Sequence, residues 1–173
     1  MIKNYEQKEK VRALVITEDS KIVIANYGGV TLLPGGSLES KENKEEALIR
    51  ELEEELGIIY ERNELKYFMT LIIDQPNYPN IDGTVTNRKL ITHYYITHFK
   101  GIHIDQQKLT EGEKTQNFYL EILTIEEIKQ KIKKINENPR SIYFNEELNT
   151  VLENYLNQTQ KEKNKTYKIK KST

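Results

Sequence analysis

Residues 33–58 read LPGGSLESKENKEEALIRELEEELGI, a stretch in which a glycine pair precedes a segment rich in leucine and glutamate. Three leucines recur at positions i, i+4 and i+8, namely Leu48, Leu52 and Leu56. This spacing predicts an amphipathic helix over residues 44–56 with one buried stripe. Gly57 follows directly and predicts the C-terminal end of that helix, because glycine readily adopts the left-handed conformation found there.

The same helix carries glutamates where a stable helix would not place them. Glu51, Glu54 and Glu55 lie at i, i+3 and i+4, so their carboxylates share one face. Like charges at these spacings repel, and negative charge near a helix C-terminus opposes the helix dipole. A divalent cation such as Mg²⁺ or Mn²⁺ bound among the oxygens would explain the arrangement. A solvated acidic face, with Arg50 paired to Glu54, is the alternative.

Glycine is concentrated just before this helix. Four of the eight glycines, Gly28, Gly29, Gly35 and Gly36, fall within nine residues and bracket the short predicted strand 30–33. Glycine is needed where the backbone has a positive φ or where another group approaches the main chain closely. The cluster therefore predicts a strand that delivers a tight loop to a site, whereas a single Gly-Gly pair would indicate a simple turn.

Residues 36–58 resemble the Nudix box, G-x5-E-x7-R-E-U-x-E-E-x-G-U, in which U is a bulky aliphatic residue. The matching positions are Gly36, Glu42, Arg50, Glu51, Leu52, Glu54, Glu55, Gly57 and Ile58. The chain is thus similar to Nudix hydrolases. The resemblance implies an α+β fold, the Nudix α/β/α sandwich, with a mixed β-sheet flanked by helices. It also implies hydrolysis of a nucleoside diphosphate linked to a second moiety, X, with Mg²⁺ or Mn²⁺ as cofactor.

The resemblance also implies a role for individual residues. The metal ligands would be Glu51, Glu54, Glu55 and the carbonyl oxygen of Gly35. Glu51 or Glu54 would serve as the general base, and Gly36 would lie at the substrate. Arg50 would orient the glutamates through salt bridges, and Glu42 would support it. An additional acid from the loop 109–116 is expected in many relatives, and here either Glu113 or Glu111 could provide it.

Substrate contacts outside the box are less strongly indicated. Residues 74–88 contain two prolines, a glycine and several polar turn formers, which predicts a mobile specificity loop. Tyr78 is a candidate for stacking on a base. Tyr27 and Arg88 are further candidates for contact with a base or a phosphate. The alternative for each of the three is ordinary packing or surface exposure.

Composition indicates the class of protein. A chain of 173 residues suits one domain, and we assign it to residues 1–157. Cysteine is absent, so disulfides and thiolate zinc sites are excluded. The N-terminus lacks the apolar core of a signal peptide, which leaves the cytoplasm as the expected compartment and no membrane partner. The resemblance implies a nucleotide as the binding partner and allows a homodimer.

The remaining residues, 158–173, form a basic segment with six lysines and one glutamate. A flexible, solubilising tail is the favoured interpretation, because lysine runs at chain ends are common. A tail that tracks a nucleic-acid backbone is the alternative, but aromatic residues hardly interleave the lysines.

Apolar periodicity and turn residues predict the other elements. The predicted strands cover residues 11–17, 21–25, 30–33, 67–73, 89–99 and 118–123, the first two forming a hairpin. Besides the helix over residues 44–56, helices are predicted over residues 124–135 and 145–156.

Three functions are compatible with the sequence. The favoured one is a metal-dependent nucleotide pyrophosphohydrolase, for example in MutT-like sanitation of the nucleotide pool. A second is a non-catalytic Nudix-like sensor that binds a nucleotide. A third is removal of pyrophosphate from RNA 5′ ends with help from the lysine-rich tail.

Overall fold

The computed structural model describes residues 6–134 and 137–171, with side chains through Glu162 in the last helix. The strands in these ranges are β1 (Glu6–Ile16), β2 (Ile22–Tyr27), β3 (Val30–Leu32), β4 (Gly35–Ser37), β5 (Lys66–Pro79), β6 (Val85–His98) and β7 (Tyr119–Leu123). The α-helices are α1 (Lys44–Leu56), α2 (Glu111–Thr115), α3 (Ile125–Ile132) and α4 (Ser141–Lys171).

The strands form one mixed sheet in the order β3-β2-β1-β6-β5, with β4 paired to β1 and β7 paired to β2. The β1–β6 pair is parallel and places Arg12 opposite Tyr94. The other pairs are antiparallel, including the predicted hairpin of β1 and β2. A mixed sheet flanked by helices confirms the predicted α+β class.

Alternate residues of β1 contact opposite helical layers, because successive side chains of a strand point to opposite faces. Val11, Ala13 and Val15 pack in the core beneath α1. Leu14 packs on the other face, in a core that α3 and α4 cover. The sheet is therefore the middle layer of a sandwich, and β1 is buried from both sides.

Helix α1 has the bounds that its sequence predicts. Asn43 accepts a hydrogen bond from the backbone of Glu46, and the Glu46 side chain accepts one from the Asn43 backbone, which completes a capping box. Gly57 ends the helix in the left-handed conformation, with φ 71°. The local signals suffice here because both ends are capped within the segment itself.

The prediction of a mobile loop over residues 74–88 is wrong. Strand β5 continues through Pro79 and β6 already begins at Val85, so most of the segment is a paired hairpin. The pairing register shifts between Gln75 and Tyr78. Such an irregularity accommodates Pro76, which cannot donate to the ladder and is tolerated on an edge strand.

The sequence predicts a loop over residues 109–116, but part of this segment is helical. It contains the short helix α2, whose first turn Thr110 caps by accepting a hydrogen bond from Glu113 N. Among the later elements, α3 ends at Ile132, before the predicted end at residue 135, which lies outside the described residues.

Helix α4 is much longer than the predicted helix over residues 145–156, since it runs from Ser141 to Lys171. The proposed boundary at residue 157 and the flexibility of residues 158–173 stay predictions. Across the described ranges, no helix is long and apolar enough to cross a membrane.

Replacing Leu52 by Ala should destabilise the domain by about 2–5 kcal/mol, because it leaves a cavity where α1 meets the sheet. Leu52 is fully buried, whereas Ile59 is 67% exposed. Ile59→Ala is the control, with an expected change of less than about 0.5 kcal/mol. Urea unfolding followed by circular dichroism measures both, and equal losses would contradict the packing described.

Candidate active site

The segment between β3 and α1, which contains the short strand β4, places its backbone against the acidic face of α1. The backbone N–H of Gly35 donates a hydrogen bond to Oε2 of Glu55, with an N···O distance of 3.0 Å. Gly35 has φ +145°, and a Cβ there would lie 2.0 Å from the carbonyl oxygen of Val11. Only glycine therefore fits between β1 and the carboxylate.

Gly36 has a different reason to be glycine. A Cβ at this position would lie 2.3 Å from Oε1 of Glu51. The Glu51 carboxylate therefore rests directly on the loop backbone. Together the two glycines place a pair of glutamates from one helix next to one short stretch of main chain.

Arg50 holds the carboxylates around it. Its Nε and Nη2 donate to the two oxygens of Glu42, at 2.7 and 3.0 Å. Its Nη1 lies 3.0 Å from Glu51 Oε1 and 3.4 Å from Glu54 Oε2. Its Nη2 also donates to the carbonyl oxygen of Ser37, at 3.0 Å. One guanidinium thus connects Ser37 and Glu42 to two of the three glutamates, Glu51 and Glu54.

Negative charge at this site exceeds the positive charge beside it. Burial, and then the neighbouring charge of Glu51, raise the pKa of Glu55 well above its usual value. Burial is also the main reason that the pKa of Glu51 is raised, although Arg50 lowers it in part. Glu55 is only 4% exposed. A buried carboxylate in this environment is stabilised by a nearby cation.

The donor set suits a hard divalent cation. All the side-chain donors are carboxylate oxygens, which Mg²⁺ and Mn²⁺ prefer. The contact with Gly35 uses Oε2 of Glu55, and Oε1 of Glu55 accepts no hydrogen bond from any described residue. Within the described ranges, no three acidic or histidine side chains converge on one point as they stand. Glu51 and Glu54 instead form ion pairs with Arg50, so each would have to release Arg50 in order to bind a metal ion.

Of the two acids proposed outside the box, Glu113 lies closer to the carboxylate cluster. Its negative charge contributes to the raised pKa of Glu55. Its Oε1 accepts a hydrogen bond from Thr110 N at 2.8 Å, in the capping box of α2. Glu111 instead pairs with Lys114, and its side chain is 89% exposed. The geometry therefore favours Glu113 over Glu111 as a candidate.

Of the residues predicted to contact substrate, Gly36 lies against Glu51 of α1, and the other three lie on the α4 side of the sheet. Tyr78 is buried, and the guanidinium carbon of Arg88 lies 3.5 Å from its ring centroid. The Tyr78 ring therefore already stacks on a side chain, and Tyr143 contacts it at a centroid distance of 5.1 Å. Tyr27 is half-buried beside Phe118. Burial raises the pKa of its hydroxyl, the charge of Arg12 lowers it, and the charge of Glu55 raises it.

Sequence reasoning missed charged residues near these tyrosines: Lys10, Arg12, Arg140 and Glu147. Lys10 and Arg12 alternate with apolar residues in β1 and lie on the face that carries Leu14. Charged residues at a spacing of two on an inward-facing strand were the available signal. Arg140 and Glu147 gave no such signal, because they join the cluster only through the packing of α4.

Comparison with known proteins agrees with this geometry. The family model of the NUDIX domain matches residues 6–145. The chain belongs to the NUDIX family. As a member of the Nudix hydrolases, it is a hydrolase that acts on pyrophosphate bonds. A search of the curated proteins found no match.

Solved structures share the Nudix fold. The NUDIX hydrolase from Nitrosomonas europaea superposes with a TM-score of 0.60 at 17% identity, covering 88% of this chain and 90% of that one. The MutT protein from Methanosarcina mazei Go1 gives 0.51 at 16% identity, covering 85% and 96%. A bifunctional NMN adenylyltransferase/ADP ribose pyrophosphatase from Francisella tularensis, complexed with AMP and a Mn ion, gives 0.52 at 21% identity, covering 81% of this chain and 41% of that one. At these identities the likeness shows the fold alone.

Replacing Gly36 by Ala should lower kcat/KM by about 10²-fold, because the new Cβ displaces the Glu51 carboxylate from its position. Gly112→Ala is the matched control, since the nearest atom to a Cβ there is 3.9 Å away. Steady-state hydrolysis of a diphosphate substrate, combined with thermal unfolding, measures both variants. An unchanged rate in Gly36→Ala would contradict a catalytic position for Glu51.

Proposed function

We propose that this Nudix hydrolase depends on a divalent cation and cleaves the diphosphate linkage of a nucleoside diphosphate linked to a moiety X. One observation carries the proposal. The buried carboxylate of Glu55 lies against the backbone of Gly35, and the partly buried carboxylate of Glu51 lies against that of Gly36. Such an arrangement is costly in a protein without a cation, because two like charges share a site of restricted solvation.

Each residue of the cluster has a distinct task in this proposal. Glu51, Glu54 and Glu55, with the carbonyl oxygen of Gly35, would hold Mg²⁺ or Mn²⁺. The bound ion supplies charge neutralisation on the phosphate oxygens and lowers the pKa of the attacking water. Arg50 keeps the glutamates in place through its bonds to Glu42 and Ser37.

A proton acceptor is also available. Glu51 is a good candidate, because its raised pKa makes it a stronger base than an ordinary carboxylate. Glu54 is the other candidate, since Arg50 holds it at 3.4 Å on the more exposed part of the same face. Glu113 would add negative charge at the edge of the site, where it influences Glu55.

The names of the structural relatives guide the choice of substrates. The Francisella tularensis protein is described as an ADP ribose pyrophosphatase complexed with AMP and a Mn ion, and the Methanosarcina mazei protein as MutT. We therefore propose a panel of ADP-ribose, nucleotide sugars, dNTPs, oxidised dGTP and dinucleoside polyphosphates, with both Mg²⁺ and Mn²⁺.

Glu54→Gln should lower kcat on any panel substrate by roughly 10²–10³-fold, because it removes a charge from the site where charge develops. Glu53→Gln is the matched control. Glu53 is the adjacent residue of α1, but it points away and pairs with Lys108 at 3.0 Å. Phosphate release, coupled to a phosphatase where the products retain phosphate, gives both rates. Equal effects of the two changes would refute the assignment of Glu54, and tight nucleotide binding without any turnover would favour the sensor function.

Metal binding has a test that does not depend on activity. Mn²⁺ at ten times its Kd should stabilise the folded chain by about 1.4 kcal/mol, because it binds only the native state. The double change Glu51→Gln and Glu55→Gln should abolish this stabilisation, whereas Glu53→Gln should retain it. Chemical unfolding with and without EDTA measures the effect. A Mn²⁺-dependent gain that survives the double change would place the metal elsewhere.

A further inference from the structure

A second charged cluster lies on the α4 face of the sheet, and its sign is opposite to that of the glutamates. It consists of four cationic side chains, Lys10, Arg12, Arg88 and Arg140. Arg12 is 3% exposed and Arg88 is also buried, while Lys10 and Arg140 are half-buried. Lys10 lies within reach of the other three, because after burial their charges lower its pKa, while Glu147 raises it.

The acids around this cluster balance only part of its charge. Among the described residues, no carboxylate lies within ion-pair distance of any of the four cations. Burial lowers the pKa of Arg12 and of Lys10, and the charge of Glu147, which faces them, raises both; the Glu147 carboxylate accepts a hydrogen bond from the hydroxyl of Tyr94. Glu6 pairs with Lys8 at 2.7 Å. Asp82, at the rim, accepts hydrogen bonds from Thr84.

The arginines instead donate their hydrogen bonds to neutral acceptors. Arg12 Nη1 donates to the carbonyl oxygen of Leu33 at 2.9 Å. Arg88 Nε donates to Gln75 Oε1, and Arg140 Nε donates to the Tyr78 hydroxyl at 3.2 Å. These contacts orient the guanidinium groups without cancelling their charge. Burial is the largest cause of the lowering of the pKa of Lys10 to about 7, and the charges of Arg12, Arg88 and Arg140 lower it further.

Two cavities lead into the cluster. A small one of about 10 Å³ is lined by Arg12, Glu147 and Tyr94, and the buried Nε of Arg12 has no hydrogen-bond partner. An open one of about 340 Å³ is lined by Arg88, Arg140 and Tyr78. The small cavity has room for about one water, so a larger acceptor fits only in the open cavity, at its pair of reachable arginines.

The cluster adjoins the glutamates of α1. Arg12 pairs with Gly35 in the register of β1 and β4, and Gly35 donates to Glu55. Both charged groups act on Tyr27: burial raises its pKa, Arg12 and Arg140 lower it, and Glu55 and Glu113 raise it. One elongated anionic molecule could therefore reach both.

We propose that this cationic cluster binds a phosphate ester on X, so that the substrate carries a phosphate beyond the diphosphate that is cleaved. The inference rests on the proposed function, which assigns the scissile diphosphate to the metal and the glutamates. The arginines are then available for a second anion. Guanidinium groups match phosphate oxygens in paired hydrogen bonds, and a dianionic phosphate balances most of the excess charge. A neutral sugar or base would leave that charge unpaired.

A binding experiment tests the cluster without hydrolysis. AMP and adenosine differ only by one phosphate, so calorimetric titration of the full chain with each, in EDTA, isolates the phosphate contribution. AMP should bind at least about tenfold more tightly than adenosine, which corresponds to one charge-assisted hydrogen bond. The double change Lys10→Gln and Arg140→Gln should remove this difference.

The matched control removes two positive charges elsewhere, through Lys21→Gln and Arg62→Gln. Their side chains are 42% and 62% exposed and pair with Asp19 and Glu46. This control should retain the preference for AMP. Equal binding of AMP and adenosine by the unmodified chain, or a preference that survives the change of Lys10 and Arg140, would overturn the inference.

Hydrolysis provides the second test, with substrate pairs that share a diphosphate and differ by one phosphate, such as NADH and NADPH. The ratio of kcat/KM for the phosphorylated over the unphosphorylated member should exceed about ten and fall toward one in the double variant. A ratio near one in the unmodified chain would overturn the inference but leave the hydrolase intact. If neither these pairs nor the panel substrates are cleaved, the proposed function fails, and the AMP titration still decides whether the cluster binds phosphate.

Discussion

The hydrogen bond from the Gly35 backbone to the buried Glu55 carboxylate is the contact on which the site depends. It joins the loop after β3 to the far end of α1. The contact requires glycine, because Gly35 packs directly on the β1 backbone. It also forces a carboxylate into the interior, where its pKa is raised. The remaining features of the site compensate for this buried charge or make use of it.

Arg50 provides part of the compensation from the solvent side. Its guanidinium contacts Glu42, Glu51 and Glu54, so one cation is shared among several carboxylates. Arg12 provides another part from the opposite side of the loop, since it lowers the pKa of Glu55 while Glu55 raises the pKa of Arg12. Two charged groups of opposite sign therefore stabilise each other across β1. A cation bound at the glutamates and an anion bound at the arginines would complete the balance.

Much of the fold could be predicted from the sequence where its determinants are local. Helix α1 was predicted correctly because both of its caps lie next to the leucine stripe. The hairpin of β1 and β2 was predicted because a polar turn separates two apolar runs. Residues 74–88 were misassigned for the opposite reason. Their prolines and glycine indicate a loop locally, but long-range pairing of β5 with β6 extends both strands through most of the segment.

The sequence by itself determined the acidic half of the site, because Gly36, Arg50 and the three glutamates lie within one capped helix and its preceding loop. Residues three and four apart in a helix are neighbours on one face, so this spacing alone places the glutamate side chains close together. Only the tertiary structure decided the basic half. The parallel register of β1 with β6 places Arg88 opposite Glu6, on the face of β1 that carries Lys10 and Arg12, and Arg140 joins this face through the packing of α4. Strand register and helix docking depend on contacts between distant segments, so no local pattern of residues could specify this cluster.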